Sequence, residues 1–280
     1  MIVRSPAKLN MRLKVIDQRP DGYHNLVSIM VPVHLFDVIE LKTHRTPGIR
    51  LSCRGLHVPE SPDNLVIRAA RAFFSRTGLE DHLSIKLTKV IPVAAGLGGG
   101  SSNAACTLKA LNELYSGPLT FHELEELAIE LGADVPFFLQ ERPCIARGIG
   151  EILEPIQNWP EFWYVIVMPP FTVPTSWVYA NLNLALTKDE YAYILQCLAD
   201  NPFDIAGILE NDLERVTAVR FPVISLIKEL LLDAGAKGAL MSGSGPSVFG
   251  IFGSEDKAIA AEQHLVVKDI GKIFVARGLD

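Results

Sequence analysis

Apolar and polar residues alternate from Lys8 to Val15, where Leu9, Met11, Leu13 and Val15 interleave with Lys8, Asn10, Arg12 and Lys14. A period of two is the signature of a β-strand with one apolar and one polar face. A turn follows at Pro20-Asp21-Gly22, and Leu26–Val33 and Val38–Leu41 read as further strands. Ile49, Leu51 and Cys53 alternate with Arg50, Ser52 and Arg54, and Leu83, Ile85 and Leu87 mark another strand. Between them Asp63 and Asn64 offer an N-cap for a helix that runs to Gly78. Ala104, Leu108, Leu111 and Tyr115 have helical spacing, and Gly117-Pro118 ends that helix. Thr120 and Glu123 form a capping-box pattern ahead of Leu124, Leu127 and Leu131. Around residues 150–160 the pattern changes, and the stretch from Glu154-Pro155 to Trp159-Pro160 reads as a connection. Beyond it the chain predicts strands at Tyr164–Met168, Gly238–Ser242, Val248–Phe252 and Lys272–Ala276. It also predicts helices near 188–199, 223–233 and 255–266. Strands and helices thus mix in two linear halves, 1–155 and 156–280, as in an α+β or α/β protein.

Composition narrows the function classes. The chain has 280 residues, 49% hydrophobic and 21% charged, enough apolar material for a sizeable core. A net charge of −6 gives no reason to expect nucleic acid as a partner. The four cysteines are far apart and form no C-x-x-C pair, so reduced thiols in a cytoplasmic protein are expected rather than zinc or a disulfide framework. Residues Met1 to Asn10 lack the apolar run of a secretory signal, and no apolar stretch approaches the ~20 residues that cross a bilayer, so no membrane association is expected.

The segment with the most chemistry runs from Pro92 through Val93, Ala94, Ala95, Gly96, Leu97, Gly98, Gly99 and Gly100 to Ser101 and Ser102. It lies between a strand and a helix. Glycines let backbone approach a ligand closely, and the amides that open a helix favour an anion such as phosphate. Ser101 and Ser102 could cap that helix or offer hydroxyls to phosphate or magnesium. Two familiar nucleotide motifs fail on spacing. No lysine follows the loop as G-x-x-x-x-G-K-[ST] requires, and Ser101 stands where G-x-G-x-x-G, counted from Gly96, needs its last glycine.

Pro-x-x-x-G-L-G-G-G-S-S-x-A-A, starting at Pro92, resembles the second signature of the GHMP kinases. Ser5-Pro6-Ala7-Lys8-Leu9-Asn10 resembles their N-terminal motif, and Met241-Ser242-Gly243-Ser244-Gly245-Pro246-Ser247-Val248-Phe249 their C-terminal one. The branch is marked by Arg19-Pro20-Asp21-Gly22-Tyr23-His24-Asn25-Leu26, similar to a segment of the 4-diphosphocytidyl-2-C-methylerythritol kinases. Leu131–Phe138, Ala146–Glu151 and Asn211–Glu214 match the same branch. The resemblance implies an α+β fold of two units, the N-terminal one like the second domain of ribosomal protein S5 and the C-terminal one ferredoxin-like. It implies ATP and Mg²⁺, and an acceptor carrying a cytidine diphosphate group whose 2-hydroxyl is phosphorylated on the non-mevalonate route to isoprenoid precursors. A monomer or homodimer is expected. Ala94 and Ala95 depart from the family, whose members often carry glycine there, and a modest effect on loop flexibility is expected.

Each candidate residue has a plainer reading beside the one the resemblance implies. Lys8 and Asn10 share a strand face with Arg12 and Lys14 that could simply be solvated. The resemblance instead places Lys8 near the transferring phosphoryl group and Asn10 on the substrate. Asp134 alone reads as a helix N-cap, and in the family it is the general base. Tyr23 and His24 alone read as an aromatic at a strand start and an exposed histidine. The resemblance makes them a cytosine site, His24 bonding the base edge and Tyr23 stacking on it. Tyr179 falls where relatives carry an aromatic partner for the same base, with Trp177 a competitor. Gly243 and Ser244 form either a hairpin turn or a substrate-facing loop. The metal ligands stay unassigned. Two other readings remain: a different GHMP kinase, or a non-catalytic nucleotide-binding protein of this fold.

Overall fold

The computed structural model describes residues 1–183, 190–199 and 204–279. In chain order the elements are β1 (Ile2–Gln18), β2 (His24–Thr43), β3 (Gly48–Gly55), α1 (Leu65–Thr77), β4 (His82–Lys89), α2 (Gly99–Leu114), α3 (Phe121–Leu131) and α4 (Phe137–Gln140). The chain continues with β5 (Cys144–Gly148), β6 (Ile152–Pro155), β7 (Trp163–Met168), α5 (Thr175–Ala180), α6 (Glu190–Ala199) and α7 (Ile205–Ile208). It ends with β8 (Glu210–Asn211), α8 (Asp212–Arg220), α9 (Val223–Asp233), β9 (Ala239–Met241), β10 (Val248–Phe252), α10 (Glu255–Val266) and β11 (Lys272–Arg277). The expected helix near 188–199 is seen from Glu190, residues 188 and 189 lying outside the described residues.

Two compact units result. One comprises Met1–Ala7, Leu35–Val93 and Gly98–Glu141; the other comprises Lys8–His34, Ala94–Leu97 and Arg142–Asp280. Strands β1 and β2 each contribute to both, so the units interleave along the chain, whereas the sequence reading divides it linearly after residue 155.

In the first unit β4 pairs parallel with β3 and antiparallel with the second half of β2. The strand β4 buries every second residue, Leu83, Ile85 and Leu87 among them, and α1 and α2 pack together alongside α3. The caps are those the sequence offers. Asn64 accepts from the Val66 amide at 3.0 Å, Gly78 closes α1 in the left-handed conformation, and Thr120 and Glu123 exchange both bonds of a capping box.

In the second unit β11, β7, β10 and β9 form an antiparallel sheet in that order, with α9 and α10 packed on it. Its core joins Val165, Val167, Val248 and Phe252 to Ile224, Ile227, Leu231 and Leu265, and also to Leu13 and Val15 from β1. The first half of β2 pairs with β5, which pairs with β6.

Three expectations are corrected. The polar face of β1 is not solvated: Lys8, Asn10, Arg12 and Lys14 are all less than 5% exposed, because this strand is covered on both faces. The two strands expected at Leu26–Val33 and Val38–Leu41 are one continuous strand, β2. The supposed connection near 155 begins as strand β6, with Pro155 opposite Cys144 at its end. That pairing is non-local and leaves little period-two signal in so short a run.

Candidate functional site

In the second unit the middle of the glycine-rich segment is fixed by main-chain contacts. Leu97 O accepts from the Lys8 amide at 3.0 Å, and Ala95 O accepts from the Ser247 amide at 3.3 Å. Gly96 has φ +77°, and a Cβ there would stand 1.9 Å from the Ser242 carbonyl oxygen, so only glycine allows the approach. The Ser242 hydroxyl donates to Gly96 O at 2.9 Å and accepts from the Asn10 amide at 3.2 Å. Lys8 Nζ donates to Asn10 Oδ1. Asn10 Nδ2 donates to Ser28 Oγ at 2.8 Å, which donates on to Arg12 O at 2.6 Å.

Gly243 and Ser244 lie in the turn that joins the antiparallel strands β9 and β10, so the hairpin reading holds. That turn also meets the glycine-rich segment, since a Cβ on Gly243 would lie 3.4 Å from Gly96 Cα and 3.5 Å from Asn10 Oδ1. Asn211 Nδ2 holds the turn by donating to Met241 O and Gly243 O, 2.8 Å each, and Ser244 Oγ lies 2.8 Å from Thr175 Oγ1. Lys8, Asn10, Ala95, Gly96, Leu97, Gly243 and Ser244 are therefore brought together in this unit.

Also in this unit, His24 and Tyr179 stack, with ring centroids 4.9 Å apart and 28° between planes. Tyr23 stands apart at 59% exposure, its amide donating to Asp21 Oδ1. Trp177 takes another direction: Arg220 lies over its ring, and it lines a cavity of about 770 Å³ with Lys14, Glu210, Asp212 and Val219. Two residues apart on α5, the two aromatic rings project to different sides of the helix.

In the first unit the glycine-rich segment becomes helix. The N-cap of α2 is Gly98, with φ +66°, and Ser101 and Ser102 are inside the first turns, so neither caps the helix. Ser102 is fully buried and its hydroxyl is 2.7 Å from Ser5 Oγ. Pro92 and Val93 lead in from β4. Asp134 is half-buried in the turn 133–136 and is no N-cap, because α4 begins only after Pro136. The position before a proline disfavours helix, which moved the start downstream. Ala94, one of the departures from glycine and part of the second unit, has φ +50°, a conformation that disfavours an alanine.

Reasoning from sequence missed Ser242, Ser28 and Asn211. Ser242 and Asn211 lie in quoted motifs, but only the fold shows that their side chains bond backbone of the glycine-rich segment and of the turn. Ser28 had no signal beyond its place on a strand.

Among the described residues no cluster of three or more His, Cys, Asp and Glu could hold a metal ion, and no helix is long and apolar enough to cross a membrane.

The chain matches the family models for the GHMP kinases N terminal domain, over residues 64–142, and GHMP kinases C terminal, over residues 187–267. A 4-diphosphocytidyl-2-C-methyl-D-erythritol kinase of Geobacter metallireducens is 47% identical, over 100% of this chain and 99% of that protein. A crystal structure of 4-(cytidine 5'-diphospho)-2C-methyl-D-erythritol kinase superposes with TM-score 0.85 at 34% identity, covering 100% of both chains. A homoserine kinase from Cytophaga hutchinsonii, with TM-score 0.78 and 20% identity over 99% of this chain and 94% of that one, shares the fold. With the glycine-rich segment, the strand bearing Lys8 and the Ser242–Ser244 turn built as described, this chain belongs to the 4-diphosphocytidyl-2-C-methyl-D-erythritol kinase family of GHMP kinases.

Proposed function

We propose that the protein transfers the γ-phosphoryl group of ATP to the 2-hydroxyl of 4-diphosphocytidyl-2-C-methyl-D-erythritol, in the non-mevalonate route to isoprenoid precursors. The observation that carries the reading is the joint placement, in one unit, of the Lys8–Asn10 pair against Gly96 and Gly243 and of the His24–Tyr179 stack. It combines a cation and an amide beside glycine backbone, suited to phosphoryl transfer, with aromatic surface suited to a base.

Phosphoryl transfer needs positioning and charge stabilisation more than covalent help. Residues Pro92–Ser102 hold the phosphates through backbone amides, those at the start of α2 included. Lys8 stabilises charge on the transferring group. Asn10 and the Gly243–Ser244 turn orient the acceptor. Asp134 takes the proton of the attacking hydroxyl, a contribution worth roughly 10²–10⁴-fold. Tyr179, Tyr23 and His24 bind cytosine by stacking and edge hydrogen bonds. Mg²⁺ enters as part of the Mg-ATP co-substrate, because magnesium on a nucleotide is held largely by phosphate oxygens and water and needs few protein ligands. The buried Ser102 hydroxyl, already engaged with Ser5, is a poor ligand for it. We place the protein in the cytoplasm as a monomer or homodimer, with residues 1–155 and 156–280 as its N- and C-terminal domains.

The test is ADP release with Mg-ATP and, separately, 4-diphosphocytidyl-methylerythritol, mevalonate and homoserine. Turnover is expected with the cytidine compound alone. Turnover with another alcohol would overturn the substrate, and no turnover despite ATP binding would favour a non-catalytic protein. Asp134→Asn is expected to keep acceptor binding and lose at least ~10²-fold in kcat. Near-full activity in that variant would remove Asp134 from the base role.

A further inference from the structure

In the first unit, at the residues that flank the glycine-rich segment, lies a buried polar cluster that the proposed chemistry does not use. Asp37 on β2 is fully buried. Its Oδ1 accepts from the amides of Val90 at 2.7 Å and Ile91 at 2.9 Å, immediately before Pro92. Its Oδ2 accepts from Lys89 Nζ and from Asn103 Nδ2, the latter at 2.9 Å. Asn103 is in α2 directly after Ser102, and its second amide hydrogen goes to Ser5 Oγ at 2.8 Å. One carboxylate thus ties the residues that enter the segment to the helix that leaves it.

Space in the first turn of α2 is matched to this cluster. A Cβ on Gly99 would come within 2.7 Å of Lys89 Nζ and 2.9 Å of Ile91 Cγ2. Glycine at that position lets the helix start sit directly on the lysine. A buried cation beside a helix N-terminus opposes the helix dipole, and a buried charge needs a partner. Asp37 supplies one while using its other oxygen on the backbone. A hydrophobic pair would fill the volume but offer no acceptor to the amides of Val90 and Ile91 or to Asn103.

We infer that Asp37, acting through Asn103 and the amides of Val90 and Ile91, is a positioning residue for ATP. It sets the spacing between the two ends of the glycine-rich segment, so that the first amides of α2 are pre-organised for phosphate. Pre-organisation raises affinity by sparing the ordering cost on binding. The inference rests on the reading that Pro92–Ser102 binds ATP.

The experiment measures calorimetric binding of Mg-AMP-PNP to the full chain, KM for the acceptor, and melting temperature. Wild type is compared with Asp37→Asn, Asn103→Ala and the double variant. Asparagine at 37 keeps one acceptor for the strand amides but turns a donor toward Lys89 and Asn103. Each single variant is expected to weaken nucleotide binding by about 10-fold, with the acceptor KM unchanged. The double variant is expected to lose less than the sum of the two singles, because the Asp37–Asn103 bond is common to both. Nucleotide affinity at the wild-type level in Asn103→Ala, which removes only one arm, overturns the inference even if Asp37→Asn fails to fold. Additive losses, or equal losses for nucleotide and acceptor that follow the melting temperature, also overturn it. Wild type that does not bind AMP-PNP sinks the ATP reading itself, and this inference with it.

Discussion

Lys89 in the first unit and Lys14 in the second are both buried lysines bonded to carboxylates, and their amines are driven in opposite directions. Among the described residues Lys89 meets a single carboxylate, Asp37, with side-chain exposures of 3% and 0%. Burial is the larger effect and pulls its pKa below the ordinary 10.5, with Asp37 opposing. Lys14 is as buried at 4%, but it meets Glu210 and Asp212, which are 33% and 14% exposed, at 2.8 Å each. Burial is again the largest single cause and would lower the pKa. The hydrogen bonds and charges of Asp212 and Glu210 together outweigh it and raise the pKa. Two carboxylates that keep contact with water hold a charge more easily than one that does not. The first arrangement is a tight clamp that fails if either partner is lost; the second is a network with spare members, since Arg12 also pairs with Glu190 and Glu210.

The contrast breaks most sharply at Asp37. Asp37→Ala strands a buried ammonium and is expected to cost roughly 3–5 kcal/mol in urea unfolding. Glu210→Gln is expected to cost ~1 kcal/mol or less, because solvent screens Glu210 and Lys14 keeps Asp212. Equal losses would erase the distinction between clamp and network.

Fixation without any charge is measured at Gly96. Gly96→Ala drives a Cβ into the Ser242 carbonyl and is expected to destabilise by ~1–3 kcal/mol, with loss of nucleotide binding. An unchanged melting curve would show that the segment shifts freely.

The next test is pH dependence. Glu210 is held below its ordinary 4.5: burial alone would raise it, but Lys14, Arg12 and Arg215 together lower it. Its stabilisation is present above pH 4.5 and is lost as pH falls through the folded-state value below that. Lys14 contributes fully below pH 10.5 and loses its contribution as pH rises past its raised folded value. Lys89 has the opposite sign: between its lowered folded value and 10.5 the unfolded chain binds more protons, so stability rises with pH. Melting profiles of Lys14→Met and Lys89→Met against wild type should therefore differ in opposite senses on the alkaline side.

The smallest effect is expected at Ala94, whose φ of +50° suits glycine better. Ala94→Gly should relieve that strain but give the unfolded chain more freedom, leaving a net gain of at most ~1 kcal/mol in thermal unfolding.

The elements legible in the sequence were those whose signal is local. Helices α1 and α3 announce themselves through Asn64, Gly78 and the Thr120–Glu123 box. Strand β4 follows from period-two alternation. Strands β5, β6 and β8 were missed because they exist through pairing with distant strands, and two to five residues carry too little pattern of their own. In the same way the glycine-rich segment was legible as an anion-binding loop, but its supports were not. Asp37 lies 66 residues from Asn103, and Ser242 lies 146 from Gly96.

Short-range pattern was enough to read the local chemistry: the caps, the glycines, the order of motifs, and through them the family. Those properties depend on residues within a few positions of each other, where covalent geometry limits the choices. The folded chain was needed to see that the polar face of β1 is buried, that Tyr179 rather than Trp177 meets His24, and that one carboxylate holds both ends of the glycine-rich segment. Burial and pairing are set by what folds back onto a residue from far along the chain, and no local pattern encodes that.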